Sequence, residues 1–271
     1  MDVSVKQTIR QRVSVRTFDG SGLGETDRAA LVRYMERVTN PFDVPVEFRL
    51  FRAGEHGLSS PVVVGADYYI AAKVPRQGNY EMGYGYSFEV LCLWARSLGI
   101  GTVLLAASLS RKAFEKAMEV RAGEVMPLAT PVGYPAARRS LRESLMRKGL
   151  KADSRRPFED LFFDGSFRTG LRKEDAGVFA EALEMARWAP SAGNRQPWRG
   201  VVAGDTVHFY EAKSIKDSAL GDVQKVDVGI ALAHFDLTLG EEGHTGRFFQ
   251  ADPGLTCPDN VTYMISYERT K

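Results

Sequence analysis

One short stretch constrains the fold of this chain more than any other. Ala189–Trp198 reads Ala-Pro-Ser-Ala-Gly-Asn-Arg-Gln-Pro-Trp and lies between a periodic apolar segment at 178–186 and a strand-like segment. Its two prolines forbid a regular helix, and the small residues between them leave the backbone nearly bare. Such a turn suits close approach to a flat ligand, to which the Asn194 amide can offer a donor and an acceptor. The alternative is a loop that merely ends a helix.

Composition narrows the class of protein. The chain has 271 residues, enough for one large domain or two ordinary ones, and 44% of them are hydrophobic. A net charge of +2 gives no electrostatic case for nucleic-acid or membrane partners, and no apolar run could span a bilayer. Cys92 and Cys257 are the only cysteines, and the start lacks a signal-peptide pattern, so we expect a reducing, cytoplasmic location. The four histidines lack metal-ligand spacing, so we expect no metal site.

Apolar periodicity predicts a mixture of helices and strands. The segment 85–98 is apolar all round, which is typical of a buried helix, and 226–237 has helical spacing. Residues 48–52 and 262–267 have the composition of strands. Residues 199–210 predict a hairpin around Gly204-Asp205.

Two further motifs accompany the loop. Arg12–Phe18 reads Arg-Val-Ser-Val-Arg-Thr-Phe, and Ser154–Leu161 reads Ser-Arg-Arg-Pro-Phe-Glu-Asp-Leu. With Ala189–Trp198 they resemble the opening motif, the closing basic run and the signature loop of the FMN-dependent nitroreductase family. The resemblance implies the α+β, FMN-binding fold of that family. In ordinary members the opening motif and the loop lie close together, whereas here more than 170 positions separate them.

Weak internal repetition offers a reason for this separation. Phe48–Glu55 parallels Trp198–Asp205 at an offset of 150 positions. Gly85, within the first apolar helix, parallels Gly229 in the second at an offset of 144. We therefore predict that the chain consists of two diverged repeats.

Ordinary nitroreductases resemble obligate homodimers whose two flavin sites each draw on both subunits. We expect this chain to be a monomer that works as an intramolecular pseudo-dimer of halves 1–160 and 161–271. The first half keeps Arg12–Phe18 but has Val44 where the second has Asn194, and the second half lacks the opening motif. One composite flavin site per chain is therefore expected.

The resemblance also implies which residues hold the flavin. These are Arg12, Ser14, Arg16, Ala106, Ala107, Arg155, Arg156, Pro190, Ser191 and Asn194. Arg12, with Arg155 or Arg156, would meet the phosphate. Arg16 would lie beside the N1 and C2 carbonyl edge of the ring, where a fixed cation stabilises the reduced flavin. The Asn194 amide would hydrogen-bond to the uracil-like edge of the flavin ring.

Each assignment has a simpler alternative. Arg12 and Arg16 could be surface charges, and Asn194 could stabilise its own turn. The basic stretch 136–156 is expected to be mostly a solvated helix face, with Arg138, Arg139 and Arg142 in water.

The resemblance implies an FMN-dependent oxidoreductase. Electrons would pass from NADH or NADPH through the flavin to a nitroaromatic, a quinone or a similar small acceptor. No catalytic acid, base or nucleophile is expected, because the flavin carries the chemistry. The alternatives are a flavoenzyme of the same fold with other chemistry, such as reductive dehalogenation, and a flavin-binding protein without turnover.

Overall fold

The computed structural model describes residues 4–270 and mixes helices with antiparallel sheet. The helices are α1 (Val5–Gln11), α2 (Glu25–Met35), α3 (Ala53–His56), α4 (Tyr80–Ser97), α5 (Arg111–Ala117), α6 (Leu141–Gly149), α7 (Ala180–Arg187) and α8 (Val223–Glu241). The strands are β1 (Glu47–Arg52), β2 (Tyr68–Pro75), β3 (Gly101–Thr102), β4 (Glu124–Val125), β5 (Ala129–Gly133), β6 (Phe162–Asp164), β7 (Trp198–Ala203), β8 (Thr206–Ala212), β9 (Thr245–Phe249) and β10 (Val261–Thr270).

The chain folds into two compact units whose segments alternate along the sequence. The first unit includes residues 11–80 and 90–152, and the second includes 4–10, 81–89 and 153–270. The division falls within α4, between Glu89 and Val90. The units describe packing, whereas the boundary predicted at residue 160 describes repeats in the sequence, and that boundary stays a prediction.

The sheet of the first unit is antiparallel and is centred on β2. Its strand order is β1-β2-β5-β3, and β4 pairs with the end of β2. Residues 68–74 of β2 are all buried, and all of them except Lys73 are apolar, so the strand does not alternate between apolar and polar residues. Phe51, Tyr69, Phe114 and Met126 pack together in the core of this unit.

The sheet of the second unit has the order β6-β7-β8-β10-β9, with β6 parallel to β7 and the remaining pairs antiparallel. The predicted hairpin is confirmed as β7 and β8, and Gly204 supplies the left-handed residue of its turn at φ 61°. The predicted strand at 262–267 is confirmed within β10. Strand β9 was not predicted, because it is a mostly exposed edge strand without an alternating apolar pattern.

The N-terminal half of α4 crosses α8 within the second unit at two glycines. A Cβ atom on Gly85 would lie 2.0 Å from the carbonyl oxygen of Val226, and one on Gly229 would lie 2.1 Å from that of Met82. Only residues without side chains permit so close an approach of two helix backbones. Met82 and Gly85 lie 144 positions before Val226 and Gly229, so the crossing has local two-fold symmetry at the offset that the sequence repeats.

The repeat at offset 150 is only partly reflected in secondary structure. Phe48 lies in β1 and its counterpart Trp198 in β7, and each strand pairs with the next strand of its sheet. The equivalence ends there, because Ala53–His56 forms the helix α3 whereas Gly204 lies in a two-residue turn. In the first unit the chain therefore makes a longer excursion before it returns as β2.

Candidate functional site

The motif Arg12–Phe18 lies in the first unit as an extended segment against the sheet. Ser14 bridges Thr102 in a parallel arrangement, and the Val15 N–H donates to the Thr102 carbonyl at 2.9 Å. Thr17 bridges Val64 in the same sense. Because the segment is extended, its odd-numbered and even-numbered side chains point to opposite sides.

Arg16 is a partly buried cation. Its Nε atom is buried and has no hydrogen-bond partner among residues 4–270. Burial lowers the pKa of the guanidinium, the nearby Glu143 opposes that shift, and the positive charges of Arg147 and Arg12 add to it. A desolvated guanidinium with an unpaired donor is costly unless an anion or a polar ligand meets it.

Helix α6 buries the side chains that its sequence would place in water. Glu143 and Arg147 are buried, whereas Leu141 and Leu145 are 84% and 71% exposed. The Thr17 hydroxyl donates to Glu143 at 2.8 Å, which joins α6 to the extended segment. The prediction of a mostly solvated basic stretch is confirmed, since Arg138, Arg139 and Arg142 are exposed, and the buried Arg147 is an exception that the helical pattern did not indicate.

Ala106 and Ala107 lie in the bend that follows β3 in the first unit. The carbonyl oxygen of Ala106 accepts a hydrogen bond from the guanidinium of Arg111, and Ala107 is exposed. The backbone of this bend is thus fixed by a cation that sequence reasoning did not single out.

In the second unit, the loop Ala189–Trp198 contains three left-handed residues. Gly193, Asn194 and Gln196 have φ angles of 59°, 56° and 52°. The Ser191 hydroxyl accepts the Gln196 N–H at 2.9 Å and closes this turn. Left-handed residues other than glycine are uncommon and cluster at functional sites, so the loop is an unusual and well-determined structure.

The basic run Ser154–Leu161 lies against the same loop in the second unit. The Asn194 amide donates to the Ser154 carbonyl at 3.2 Å, and the Arg156 N–H donates to the Gln196 side chain at 2.8 Å. The structure therefore brings together two motifs that lie about 40 positions apart in the sequence. The Asn194 amide contacts the basic run as well as its own turn.

Arg155 and Arg156 have different surroundings. The Arg155 guanidinium donates to the carbonyls of Ser154 at 2.8 Å and Trp188 at 3.0 Å, and it stacks over the Trp188 ring. The Arg156 side chain is 45% exposed, with Asp160 as an ion-pair partner at 3.9 Å. Arg155 thus holds the start of the loop, whereas Arg156 presents its charge to solvent.

Asp227 on α8 anchors the loop through its backbone. The sequence did not identify this residue. It is 4% exposed, and its two carboxyl oxygens lie 3.0 and 3.2 Å from the Ala192 nitrogen, which donates its proton. Burial raises the pKa of Asp227 well above its ordinary value, against the effect of the Ala192 hydrogen bond, and the negative charges of Asp222 and Glu211 raise it further. An aspartate in an apolar helix gave no sign of this role.

The predicted flavin residues thus form one group in each unit. Ser14 and Arg16 share an extended segment with Arg12, and Pro190, Ser191 and Asn194 belong to a loop that contacts the basic run. That both groups serve one flavin stays a prediction. Within residues 4–270 the structure has no cluster of three or more His, Cys, Asp or Glu side chains suited to a metal, and no helix there has the length and apolarity to cross a bilayer.

A family model described as "Putative TM nitroreductase" matches residues 4–239. A solved structure described as a putative nitroreductase from Thermotoga maritima is 21% identical, with a TM-score of 0.65 over 98% of this chain and 93% of that chain. A nitroreductase family protein from Clostridium novyi is 15% identical, with a TM-score of 0.43 over 50% of this chain and 87% of that one. A search of curated protein sequences gave no match.

The family match covers most of the chain, and the Thermotoga maritima structure has the same fold over nearly all of it. The predicted α+β, nitroreductase-like fold is therefore confirmed. The chain belongs to the nitroreductase family that this model describes.

Proposed function

We propose that this protein is an FMN-dependent oxidoreductase that passes electrons from NADH or NADPH to a nitroaromatic, a quinone or a similar small acceptor. Membership of the nitroreductase family supports flavin-dependent oxidation and reduction as its general activity. FMN, when bound, supplies the redox chemistry between the two substrates. The protein's own residues bind and orient it.

The observation that carries this proposal is the unpartnered, buried Nε of Arg16. A guanidinium held in a partly desolvated position fits the edge of a ring system that gains negative charge on reduction. Glu143 and Arg147 flank Arg16 electrostatically, so the cation is set within the fold instead of moving freely in solvent. Arg16 would stabilise the reduced cofactor, and Ser14 on the same side of the segment would hydrogen-bond nearby.

The second unit offers groups that suit the other parts of FMN. The Asn194 amide is half-buried in the loop, and an amide can both donate to and accept from the uracil-like edge of a flavin. Arg156 is the better phosphate partner of the two adjacent arginines, because the Arg155 guanidinium already bonds two carbonyls. Pro190 and Ser191 would line the ring.

We further propose that the chain works as a monomeric pseudo-dimer with one flavin. The two-fold relation between Gly85 and Gly229 at the α4–α8 crossing supports descent from two repeats. Val44 stands where the first repeat would need its own equivalent of Asn194, so a second complete site is not expected.

Two measurements test the proposal. The purified protein should be yellow, with the visible absorption of oxidised flavin, and it should oxidise NADH or NADPH when nitrofurazone or menadione is supplied. Bound flavin without oxidation by any acceptor would favour the binding-protein alternative. Protein that neither holds FMN as purified nor binds it on titration would refute the proposal.

A further inference from the structure

A cavity of about 560 Å³ lies within the first unit and is separate from the face that carries Ser14 and Arg16. It is bounded by the extended segment after α1, the end of α4, the start of β3 and the stretch that joins β5 to α6. Its volume is in the range of small-molecule sites in proteins. None of the proposed roles of Ser14, Arg16 or the loop in the second unit uses this space.

Side-chain alternation distinguishes the residues of the extended segment that line the cavity from Ser14 and Arg16. Val13, Val15 and Thr17 line it, whereas Ser14 and Arg16 do not. These two sets point to opposite sides of an extended chain. Arg12 also borders the cavity, so its assignment to the flavin phosphate competes with the role argued here.

The charges that line the cavity are mostly positive. Arg12, Arg96, Arg138 and Arg139 face a single acid, Glu143. That acid is already engaged, since it accepts the Thr17 hydroxyl at 2.8 Å and lies 3.8 Å from Arg139. Without counting Arg12, the three arginines Arg96, Arg138 and Arg139 still outnumber this carboxylate, so the lining has an excess of positive charge.

Arg96 provides a second, independent observation. Its Nε atom is buried and has no hydrogen-bond partner in the part of the chain that the structure describes. A buried guanidinium donor without a partner carries a desolvation cost that an anionic ligand would offset. Arg96 is held in the last turn of α4, so it is a fixed donor and not a mobile surface charge.

The remaining walls are apolar. Val13, Val15, Ile100 and Pro135 contribute to them, and Gly101 packs directly on the Val15 side chain. An apolar floor with guanidinium groups around it is complementary to a flat hydrocarbon body that carries one anionic group. A fully hydrated inorganic anion would leave those walls unused.

We propose that this cavity binds a small aromatic carboxylate, with the carboxylate on Arg96 and Arg139 and the ring against Val13, Val15 and Ile100. Ser14 and Arg16 do not line this site, and Arg12 is the one residue that it shares with the set predicted for FMN. The cavity gives this protein a binding site for an acidic aromatic compound.

The experiment is a calorimetric titration of the protein as purified, with 2-naphthoate as the probe and its neutral analogue 2-naphthamide as the control, at low ionic strength. We expect one 2-naphthoate per chain and binding of 2-naphthamide at least about tenfold weaker, the effect of one charged hydrogen bond. Arg96→Gln and Arg139→Gln should each weaken 2-naphthoate binding about tenfold or more. Arg142→Gln is the matched control, because Arg142 is exposed and does not line the cavity.

Several outcomes would overturn the proposal. Equal affinity for the acid and the amide would show that the arginines do not recognise the charge. Unchanged binding in Arg139→Gln, whose exposed side chain leaves the core intact, would do the same even if Arg96→Gln failed to fold. Displacement of 2-naphthoate by FMN would assign the cavity to the flavin. Since the titration needs no flavin, a protein without FMN would refute the proposed function and still test this site.

Discussion

Asp227 holds the backbone of Ala192, with its two carboxyl oxygens 3.0 and 3.2 Å from the donating nitrogen. The contact joins the middle of α8's first half to the turn that contains Gly193 and Asn194. Because Asp227 is almost fully buried, it has little freedom to leave this position. The geometry of the loop Ala189–Trp198 thus depends on a residue that lies 35 positions away from Ala192 in the sequence.

Asp227→Ala should loosen the loop. Removing the acceptor leaves the Ala192 N–H without a partner, and an unsatisfied buried donor costs about 1–3 kcal/mol. We expect exchange of the Ala192 amide with deuterated solvent to be about 10–100 times faster, as measured by NMR at constant pH. Asp227→Asn keeps an acceptor oxygen and should retain most of the protection. Equally fast exchange of the Ala192 amide in Asp227→Ala and Asp227→Asn would show that the acceptor oxygen of Asp227 does not protect it.

Glu211 should make stability depend on pH. Burial raises its pKa to about 7, and the charge of Asp222 adds to this, while Lys213 and Lys225 oppose it. Since the folded pKa is above the ordinary value of 4.5, the unfolded chain loses this proton first, and stability falls as pH rises from 4.5 through 7. Glu211→Gln should remove about 1–3 kcal/mol of that fall. Urea unfolding of the wild type and of Glu211→Gln between pH 4.5 and 7 measures the pH dependence of stability. The same pH dependence in the two proteins would rule out an effect of Glu211.

The helix crossing in the second unit should not tolerate a methyl group. Gly85→Ala and Gly229→Ala each force a Cβ atom to about 2 Å from a backbone oxygen, so the helices must separate. We expect each variant to lose about 1–3 kcal/mol or more in denaturant unfolding. Gly240→Ala is the matched control on α8, because nothing lies within 4 Å of its Cβ position. It should be neutral or up to about 1 kcal/mol more stable. Equal losses of stability in Gly85→Ala, Gly229→Ala and Gly240→Ala would contradict a close approach of the two helices at Gly85 and Gly229.

The flavin assignments predict selective loss of cofactor. Arg16→Ala and Asn194→Ala should each weaken FMN retention about tenfold, the loss of one or two polar contacts, and leave the far-ultraviolet circular dichroism unchanged. Retention is measured by the flavin fluorescence released on dilution. Arg142→Ala controls for a general change in positive charge, since that side chain is exposed. Wild-type occupancy and turnover in both site variants would remove the two residues from the site.

Flavin stoichiometry tests the pseudo-dimer. Protein saturated with FMN should hold one flavin per chain, because only the second half retains an asparagine in the loop. The ratio of absorbance at the flavin maximum to protein concentration gives the number. A ratio of two would show that both repeats still bind.

Several features of this protein follow from the sequence alone. The hairpin at Gly204 follows from a turn glycine between alternating segments, and the buried helices follow from apolar residues on every side. The loop Ala189–Trp198 is identified by its own residues. In each case the interactions that decide the structure lie within a few positions of one another, where propensity and pattern report them directly.

Other features depended on residues that are distant in the sequence. Glu143 is buried where it accepts the Thr17 hydroxyl near the cation of Arg16, and the loop is anchored because α8 brings Asp227 to Ala192. Whether a charged side chain meets water or a buried partner is an energy of the assembled fold, and local periodicity does not encode it. The sequence by itself therefore determined the family, the motifs and the local elements. Only the tertiary structure decided which charges are buried, which of the two adjacent arginines has an exposed side chain, and what holds the loop in place.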